Sequence, residues 1–275
     1  FVEIEEDLSF TGGAASLEWS RCYNSTDRGE DAEAGAGTTT GTGSLGPGWS
    51  SWCEVRLSFG TEGEARWRHE DGRLSIFPRL GQGWDRAQGE NLWLAAVDAA
   101  TGTTEEAGDA ARADGSGADP AESTPADPSV PAYEATDNSG GSWLFDAVGR
   151  PLLVRRGPGT GVRLTWEGER LRRLTHEHGR WLALTWDEEA GRLARVESCD
   201  GRAVTYDYDA VGRLVGARGG GDGERRYGWD EEAGLLARVT DADGVTEVDN
   251  TYDSRGRVAT QRSPFGRVSR YTYLP

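Results

Sequence analysis

The sequence predicts an all-β protein made of antiparallel β-hairpin repeats, and three observations support this fold class. The 275 residues include 40 Gly and 11 Trp, a composition that suits strands joined by many turns. Apolar and polar residues alternate in stretches such as "RAVTYDYD", where Val204, Tyr206 and Tyr208 share one face. An aromatic residue returns about every 21 residues in the second half. We therefore expect the hairpins to form a curved or spiralling sheet.

The repeat unit starts at an aromatic residue, and successive copies are 21, 20, 22, 21, 23 and 21 residues apart. These aromatics are Phe145, Trp166, Trp186, Tyr208, Trp229, Tyr252 and Tyr273. An aspartate follows five of them, at Asp146, Asp187, Asp209, Asp230 and Asp253. After a turn come the pairs Gly149-Arg150, Gly191-Arg192, Gly212-Arg213 and Gly256-Arg257. About 21 residues hold two strands and two short turns, so each unit is predicted to be a hairpin that must stack on its neighbours.

The chain divides into three predicted regions. Residues 1–99 read as a β-rich N-terminal module, and residues 132–275 as the repeat ribbon. Between them, residues 100–131 carry seven acidic residues against one arginine and show no apolar period, so we expect a disordered insertion. Without it, Asn91–Val97 and Tyr133–Thr136 are predicted to be the arms of one hairpin.

Charge and cysteine content limit the classes of partner. The net charge of −17 argues against nucleic acid, and the sequence has no apolar run long enough to span a membrane. The first residue is Phe1 and no signal-peptide pattern follows it, so we expect a piece of a longer parent. Cys22 and Cys53 could face each other across paired strands as a disulfide; the alternative is that they and Cys199 are three thiols.

Two groups of residues resemble a known family. The stretch "YDAVGRL", from Tyr208 to Leu214, is similar to the YD repeat of the Rhs family of bacterial polymorphic toxins, which teneurins and insecticidal toxin-complex proteins share. The stretches "SRCYNS" and "LGPGWS" resemble the module that precedes YD repeats in Rhs proteins. In that module the resemblance singles out Tyr23, Asn24, Gly46, Pro47, Gly48 and Trp49.

The resemblance implies a hollow YD-repeat shell that encloses a C-terminal toxin until delivery in bacterial competition. The chain would be the pre-repeat module and first repeats of that shell, too short to close it and without the family's self-cleavage motif. Implied partners are the rest of the shell and the toxin cargo, with a delivery-apparatus protein or a chaperone as further candidates. The parent would be made in the cytoplasm and then secreted, delivered by a secretion system or displayed on the bacterial surface.

No catalytic, cofactor-binding or metal-binding residue is predicted. The repeated acids suit turn formation and surface ion pairs between neighbouring strands. The glycines Gly41, Gly43 and Gly46 spell GxGxxG, but no strand-to-helix context surrounds them. His176 and His178 lack the spacing of a zinc motif and are interpreted as turn residues.

Two other functions stay open at this point. A cell-surface adhesion or glycan-binding module would present exposed aromatics in a groove. An acidic β-rich hydrolase would need two carboxylates that face each other in a cleft. A ribbon also has free edges, which we expect to pair with the rest of the shell or with another chain.

Overall fold

The computed structural model describes residues 1–10, 16–26, 42–97, 129–157, 160–219 and 223–274. These residues form strands and turns without a helix, and the predicted all-β class is confirmed. The predicted insertion at residues 100–131 lies almost entirely outside the described residues, so its disorder stays a prediction.

The described strands among residues 1–90 form small antiparallel sheets. Their strands are β1 (Val2–Phe10), β2 (Leu17–Asn24), β3 (Thr42–Gly43), β4 (Gly46–Pro47), β5 (Trp49–Ser51), β6 (Arg56–Phe59), β7 (Ala65–Arg68), β8 (Leu74–Phe77), β9 (Arg79–Leu80) and β10 (Gly83–Trp84). The first sheet has the order β1-β2-β5, and the second sheet has the order β6-β7-β8. The strands β3 and β4 pair with each other, as do β9 and β10.

The remaining strands form one long antiparallel sheet. They are β11 (Leu92–Ala96), β12 (Tyr133–Asp137), β13 (Gly141–Phe145), β14 (Pro151–Arg156), β15 (Val162–Glu167), β16 (Arg170–His176), β17 (Trp181–Asp187), β18 (Arg192–Ser198), β19 (Ala203–Tyr208), β20 (Leu214–Gly219), β21 (Glu224–Asp230), β22 (Leu235–Thr240), β23 (Thr246–Tyr252), β24 (Val258–Arg262) and β25 (Val268–Arg270). Within the described residues these strands follow one another in chain order.

The hairpin arms predicted around the insertion are confirmed. Strand β11 pairs with β12 in an antiparallel register that runs from Leu92 opposite Asp137 to Ala96 opposite Tyr133. Although β11 lies in the region that the sequence assigns to the N-terminal module, it is the first strand of the long sheet. The domain boundaries themselves stay a prediction.

Side chains along the long sheet alternate as the sequence predicts. In β17, Leu182 and Leu184 are buried while Thr185 is exposed, and in β19 Tyr206 is buried while Asp207 is exposed. A β-bulge, which the sequence did not predict, lies opposite six repeat aromatics, and its extra residue belongs to the strand that follows each of them: Phe145, Trp166, Trp186, Tyr208, Trp229 and Tyr252. Because a bulge bends its own strand, it bends the strand that leaves each corner, as at Ala194, which lies between Leu193 opposite Trp186 and Arg195 opposite Thr185.

The core lies between the small sheets and one face of the long sheet, which we call the inner face. One apolar cluster joins Trp19 and Tyr23 of the first sheet to leucines of the long sheet such as Leu174 and Leu214. A second cluster joins the second sheet to β12 and β13 through Trp67, Ala135 and Phe145. The first sheet is therefore docked on the repeats, and this contact positions the sites described next.

Candidate functional site: repeat corners and the docked first sheet

Six of the seven repeat aromatics donate a hydrogen bond at the corner to a carbonyl oxygen of the preceding strand, whereas Phe145 has no donor in its side chain. The indole Nε1 of Trp186 donates to the Leu171 carbonyl oxygen at 2.8 Å, and the Tyr208 hydroxyl donates to the Leu193 carbonyl oxygen at 2.7 Å. Four other copies make the same bond, from Trp166 to Pro151, from Trp229 to Leu214, from Tyr252 to Leu236 and from Tyr273 to Val258. Tryptophan and tyrosine are interchangeable here because each carries a polar donor at the tip of an apolar ring.

The aspartate after the aromatic shapes the turn with its own carboxylate. Asp209 Oδ1 accepts backbone N–H groups from Val211 at 3.1 Å and Arg213 at 2.8 Å, and Gly212 takes the positive φ of 81° that the turn requires. The carboxylate of Asp209 also pairs with the Arg213 guanidinium at 2.6 Å. The same pattern recurs around Asp146 and Asp253.

The corner arginine is less exposed than the sequence predicts. The Arg213 side chain is only 16% exposed, and its guanidinium lies 5.5 Å from the ring centroid of Trp229 in the next copy. It also pairs with Glu231 at 3.0 Å, while its partner Asp209 belongs to its own turn and not to a neighbouring strand. Arginines of three other corners lie over the next aromatic in the same way: Arg150 over Trp166, Arg170 over Trp186 and Arg257 over Tyr273.

Two corners have a turn that is one residue longer. In both, the glycine amide bonds to the aspartate carbonyl four residues before it, from Gly191 to Asp187 and from Gly234 to Asp230. The aspartate still caps the turn, because Asp187 Oδ1 accepts the backbone N–H groups of Glu189 and Ala190. The arginine that follows, Arg192, is partly buried, and its guanidinium lies against Gly212 of the next corner.

The first corner is buried under the second sheet. The side chain of Asp146 is fully buried and that of Arg150 is 6% exposed. The amide of Leu57 donates to the Gly149 carbonyl oxygen at 3.0 Å. A Cβ on Gly149, whose φ is 81°, would collide with the Leu57 carbonyl oxygen. This corner therefore requires glycine for close contact as well as for turn geometry.

Three residues of the predicted N-terminal module contact the repeats or support that contact. The Tyr23 hydroxyl accepts the backbone N–H of Leu236 at 2.9 Å. A Cβ on Gly46 would lie 2.6 Å from the Gly212 carbonyl oxygen, so this glycine permits the backbone of the module to approach a repeat corner. A Cβ on Gly48 would lie equally close to the Tyr23 ring.

The other three residues of that module have distinct positions. The Trp49 ring packs edge-on against Tyr227 of the long sheet, with centroids 5.2 Å apart. Asn24 accepts the backbone N–H of Thr26 and caps the end of β2. Pro47 pairs with Thr42 in the short ladder of β3 and β4. Trp49 is thus part of the docking contact, whereas Asn24 and Pro47 shape the module.

A buried ion pair lies in this docking contact. Arg21 donates from Nε and Nη2 to the two carboxylate oxygens of Asp7, at 2.6 and 2.8 Å, and also from Nη2 to the Tyr227 hydroxyl at 2.6 Å. The Tyr206 hydroxyl donates to Asp7 at 2.7 Å and accepts from the Trp19 indole at 2.7 Å. Two strands of the first sheet and two of the long sheet thus share one hydrogen-bond network.

Burial and charge fix the protonation of this network. Burial would lower the pKa of Arg21, but Asp7 and the two phenols raise it well above its ordinary value. Burial raises the pKa of Tyr227 to about 12, and burial together with the charge of Asp7 raises the pKa of Tyr206 well above its ordinary value. At neutral pH the arginine is therefore charged and both phenols keep their protons, so each hydroxyl can donate as well as accept.

A second ion cluster lies beside the first. Arg225 of the long sheet contacts Glu5 of β1 at 2.8 Å and Glu247 of β23 at 2.5 Å. Burial raises the pKa values of Glu3 and Glu5, and their mutual repulsion raises that of Glu3 further. The positive charge of Arg225 therefore partly neutralises the carboxylates of Glu3, Glu5 and Glu247 at this end of the docking contact.

The described residues do not favour the two alternative functions. A cleft of about 540 Å³ contains Trp52 and Trp67, but the Arg156 guanidinium lies 4.6 Å from the ring centroid of Trp52, and the His69 ring stacks on Trp67 at 4.6 Å. The ring faces that a glycan would need are covered. The carboxylates of the repeat acids are held in turns, and no group of three potential metal ligands occurs in the described ranges.

The remaining predicted features lie in structural roles. Cys22 and Cys53 are buried free thiols and Cys199 is an exposed one, so the structure contains no disulfide between the first two. His176 Nδ1 accepts the backbone N–H of His178 at 3.1 Å, as an aspartate does in other turns. Gly43 and Gly46 lie in the β3–β4 ladder, with no helix after it, and Gly41 lies outside the described residues.

The regular corners and the first sheet docked on them define a β-hairpin repeat protein. Two family models match the chain: RHS Repeat at residues 186–225, and Domain of unknown function (DUF6531) at residues 1–77. The chain thus contains RHS repeat sequence at residues 186–225, and the resemblance seen in the sequence is confirmed.

Among solved structures, the chain is similar to "Crystal Structure of TcdB2-TccC3-TEV", at 14% identity with a TM-score of 0.37, over 78% of this chain and 15% of that chain. It is also similar to "Crystal Structure of TcdB2-TccC3-Cdc42", at 17% identity with a TM-score of 0.33, over 76% and 12% of the two chains. It thus spans only a small part of the length of either. No curated protein matches the chain. Among the described residues, no helix has the length and apolarity that crossing a membrane requires.

Proposed function

We propose that the chain is a structural, non-enzymatic segment of an Rhs-type YD-repeat shell that encloses or presents a C-terminal toxin cargo for delivery between competing bacteria. The observation that carries this proposal is the corner bond that six repeat aromatics make with the preceding strand. A bond repeated in six successive copies suits the extension of a wall, whereas a catalytic site needs one particular constellation.

Two further observations support the shell and its partners. The first sheet covers the inner face of the repeats from β14 to β22, which suits a cap at the start of the wall. Strand β25 is an edge of the long sheet as described, and the nearby Phe265 is 98% exposed. Free edges and exposed aromatics favour pairing with the remaining shell. A toxin cargo, a delivery-apparatus protein or chaperone, and secretion after synthesis in the cytoplasm belong to the same proposal.

Limited proteolysis of the parent polypeptide tests the proposal. We expect its C-terminal region to resist protease in the intact parent and to become sensitive when Trp186→Ala and Trp229→Ala together weaken two corners. The matched control is Val211→Ala, an exposed residue within a corner turn. If the C-terminal region were digested at the same rate in the intact parent and in the corner variant, the proposal that the shell encloses it would be wrong.

A further inference from the structure

We propose that Tyr206, Tyr227 and Arg225 select the hairpins on which the first sheet docks. The inference concerns a contact within this chain, and it holds whether or not the parent encloses a toxin. Its failure and the failure of the proposed shell can therefore be distinguished.

The selecting residues replace apolar residues at fixed positions of the repeat. Two residues before the aromatic, the copies that start at Trp166 and Trp186 have Leu164 and Leu184, both buried in the shared core. The next two copies have Tyr206 and Tyr227 at that position. Both tyrosines are buried in the same core, so the inner face changes from aliphatic to hydroxyl-bearing in these two copies.

A third polar replacement, by Arg225, lies two residues further back. Four residues before the aromatic, the earlier copies have Val162, Leu182 and Val204. The copy that starts at Trp229 has Arg225 there, and its guanidinium contacts Glu5 of the first sheet. Polar residues therefore occupy both inner positions in this copy.

The first sheet carries a polar partner for each replacement. Asp7 accepts from Tyr206, Arg21 donates to Tyr227, and Glu5 pairs with Arg225. The Arg21 side chain is fully buried and that of Asp7 is 6% exposed, so water cannot replace these partners in the docked state.

The tyrosine rings contribute in addition to their hydroxyls. Arg21 Nη1 has no hydrogen-bond partner among the described residues. Its guanidinium carbon lies 4.8 Å from the ring centroid of Trp49, 5.0 Å from that of Tyr227 and 5.7 Å from that of Tyr206. The aromatic faces therefore surround the part of the cation that lacks a hydrogen bond.

Docking on leucine-bearing copies would leave the first sheet unsatisfied. A shift toward Leu184 would place Arg21 and Asp7 against side chains that neither donate nor accept. The Asp7–Arg21 pair would stay intact, but it would lose its bonds to the two phenols, and Glu5 would lose Arg225. Because an unmet hydrogen bond of a buried charged group is unfavourable, docking on these copies is rejected. Apolar contact alone would not distinguish these two copies from the two before them, because all four have residues in the same buried apolar cluster.

Hydrogen exchange of the full chain tests this selection at two backbone amides. The Leu236 amide bonds to the Tyr23 hydroxyl, and the Leu193 amide bonds to the Ser44 carbonyl oxygen, each at 2.9 Å. Both amides are thus protected by partners outside the long sheet. In the double variant Tyr206→Phe/Tyr227→Phe, which keeps the rings, we expect exchange at both amides to be faster by about tenfold or more. The control Tyr273→Phe, at an exposed corner, leaves both rates unchanged.

A fully apolar variant separates selection from stability. In it, the three selecting residues and their polar partners are all replaced by Leu: Glu5, Asp7, Arg21, Tyr206, Arg225 and Tyr227. An apolar replacement of a buried ion pair can retain stability, so we expect cooperative unfolding near that of the wild type but continued fast exchange at the two amides. Wild-type protection in this variant would overturn the proposal, because docking would then need packing alone. Unchanged exchange in the double Phe variant, whose volume is conserved, would overturn it as well, whether or not the apolar variant folds.

Discussion

Removal of one hydroxyl group measures what a corner bond contributes. The Tyr208 hydroxyl donates to the Leu193 carbonyl oxygen at 2.7 Å, and burial raises the pKa of this phenol, so the donor keeps its proton at neutral pH. Tyr208→Phe keeps the ring against the core and leaves the carbonyl without this donor. A half-buried bond lost in this way lowers the free energy of unfolding by about 1–2 kcal/mol.

Urea unfolding followed by tryptophan fluorescence detects this loss. With a slope of about 3 kcal/mol/M for a chain of this size, the midpoint falls by about 0.3–0.7 M. The control Tyr273→Phe removes the equivalent bond, to Val258 at 2.9 Å, from a residue that is 41% exposed. Water can replace that bond, so its midpoint moves little. Equal shifts in the two variants, or none in Tyr208→Phe, would refute the reasoning that the bond, and not the ring alone, holds the corner.

Three further predictions concern single residues. Gly149→Ala drives a Cβ into a facing backbone carbonyl at φ 81° and lowers the free energy of unfolding by about 3–4 kcal/mol. Gly168→Ala, at φ 56° with open space around it, lowers it by only about 1 kcal/mol. Thermal unfolding in which Gly168→Ala is the less stable variant would contradict this. Burial raises the pKa of Glu54, so its contribution to stability is present below the unfolded-state pKa and is lost as pH rises through the folded-state pKa. Glu54→Gln is therefore more stable than the wild type at pH 8, and the difference in their free energies of unfolding shrinks toward about pH 4. Denaturant unfolding at a series of pH values measures this difference, and a difference that does not change with pH would argue against a buried charge. In the native protein only Cys199 reacts with a thiol reagent, and all three thiols react after denaturation; two missing thiols would reveal a disulfide.

Much of the repeat could be predicted because its signals are local. The carboxylate of Asp209 and the positive φ of Gly212 belong to one turn, and turn chemistry depends on residues close in sequence. The alternation of Leu182, Leu184 and Thr185 likewise follows from the two-residue period of a strand. Short-range rules were enough to place strands and corners.

The docking contact could not be predicted because it joins distant residues. Trp19 and Tyr206 are 187 residues apart, and no local rule links them. The bulges, and the burial of Arg150 under the second sheet, also depend on tertiary packing. One signal was present in the sequence: Tyr206 and Tyr227 occupy a repeat position where earlier copies have leucine. A polar replacement on an apolar face indicates a partner, although it does not say which one.

The spacing of the corner bonds sets an order for folding on the ribosome. Each donor follows its acceptor by 15 or 16 residues, so a strand that has just emerged is fastened only when the next aromatic leaves the exit tunnel. Growth of the sheet therefore proceeds from the N-terminus through short loops, which close quickly. The first sheet can complete its docking only later, because Arg21 bonds to the Tyr227 hydroxyl and this tyrosine is synthesised 206 residues after it. Until then its apolar face has no surface to cover it, and this interval is when a nascent chain of this kind is most exposed to aggregation.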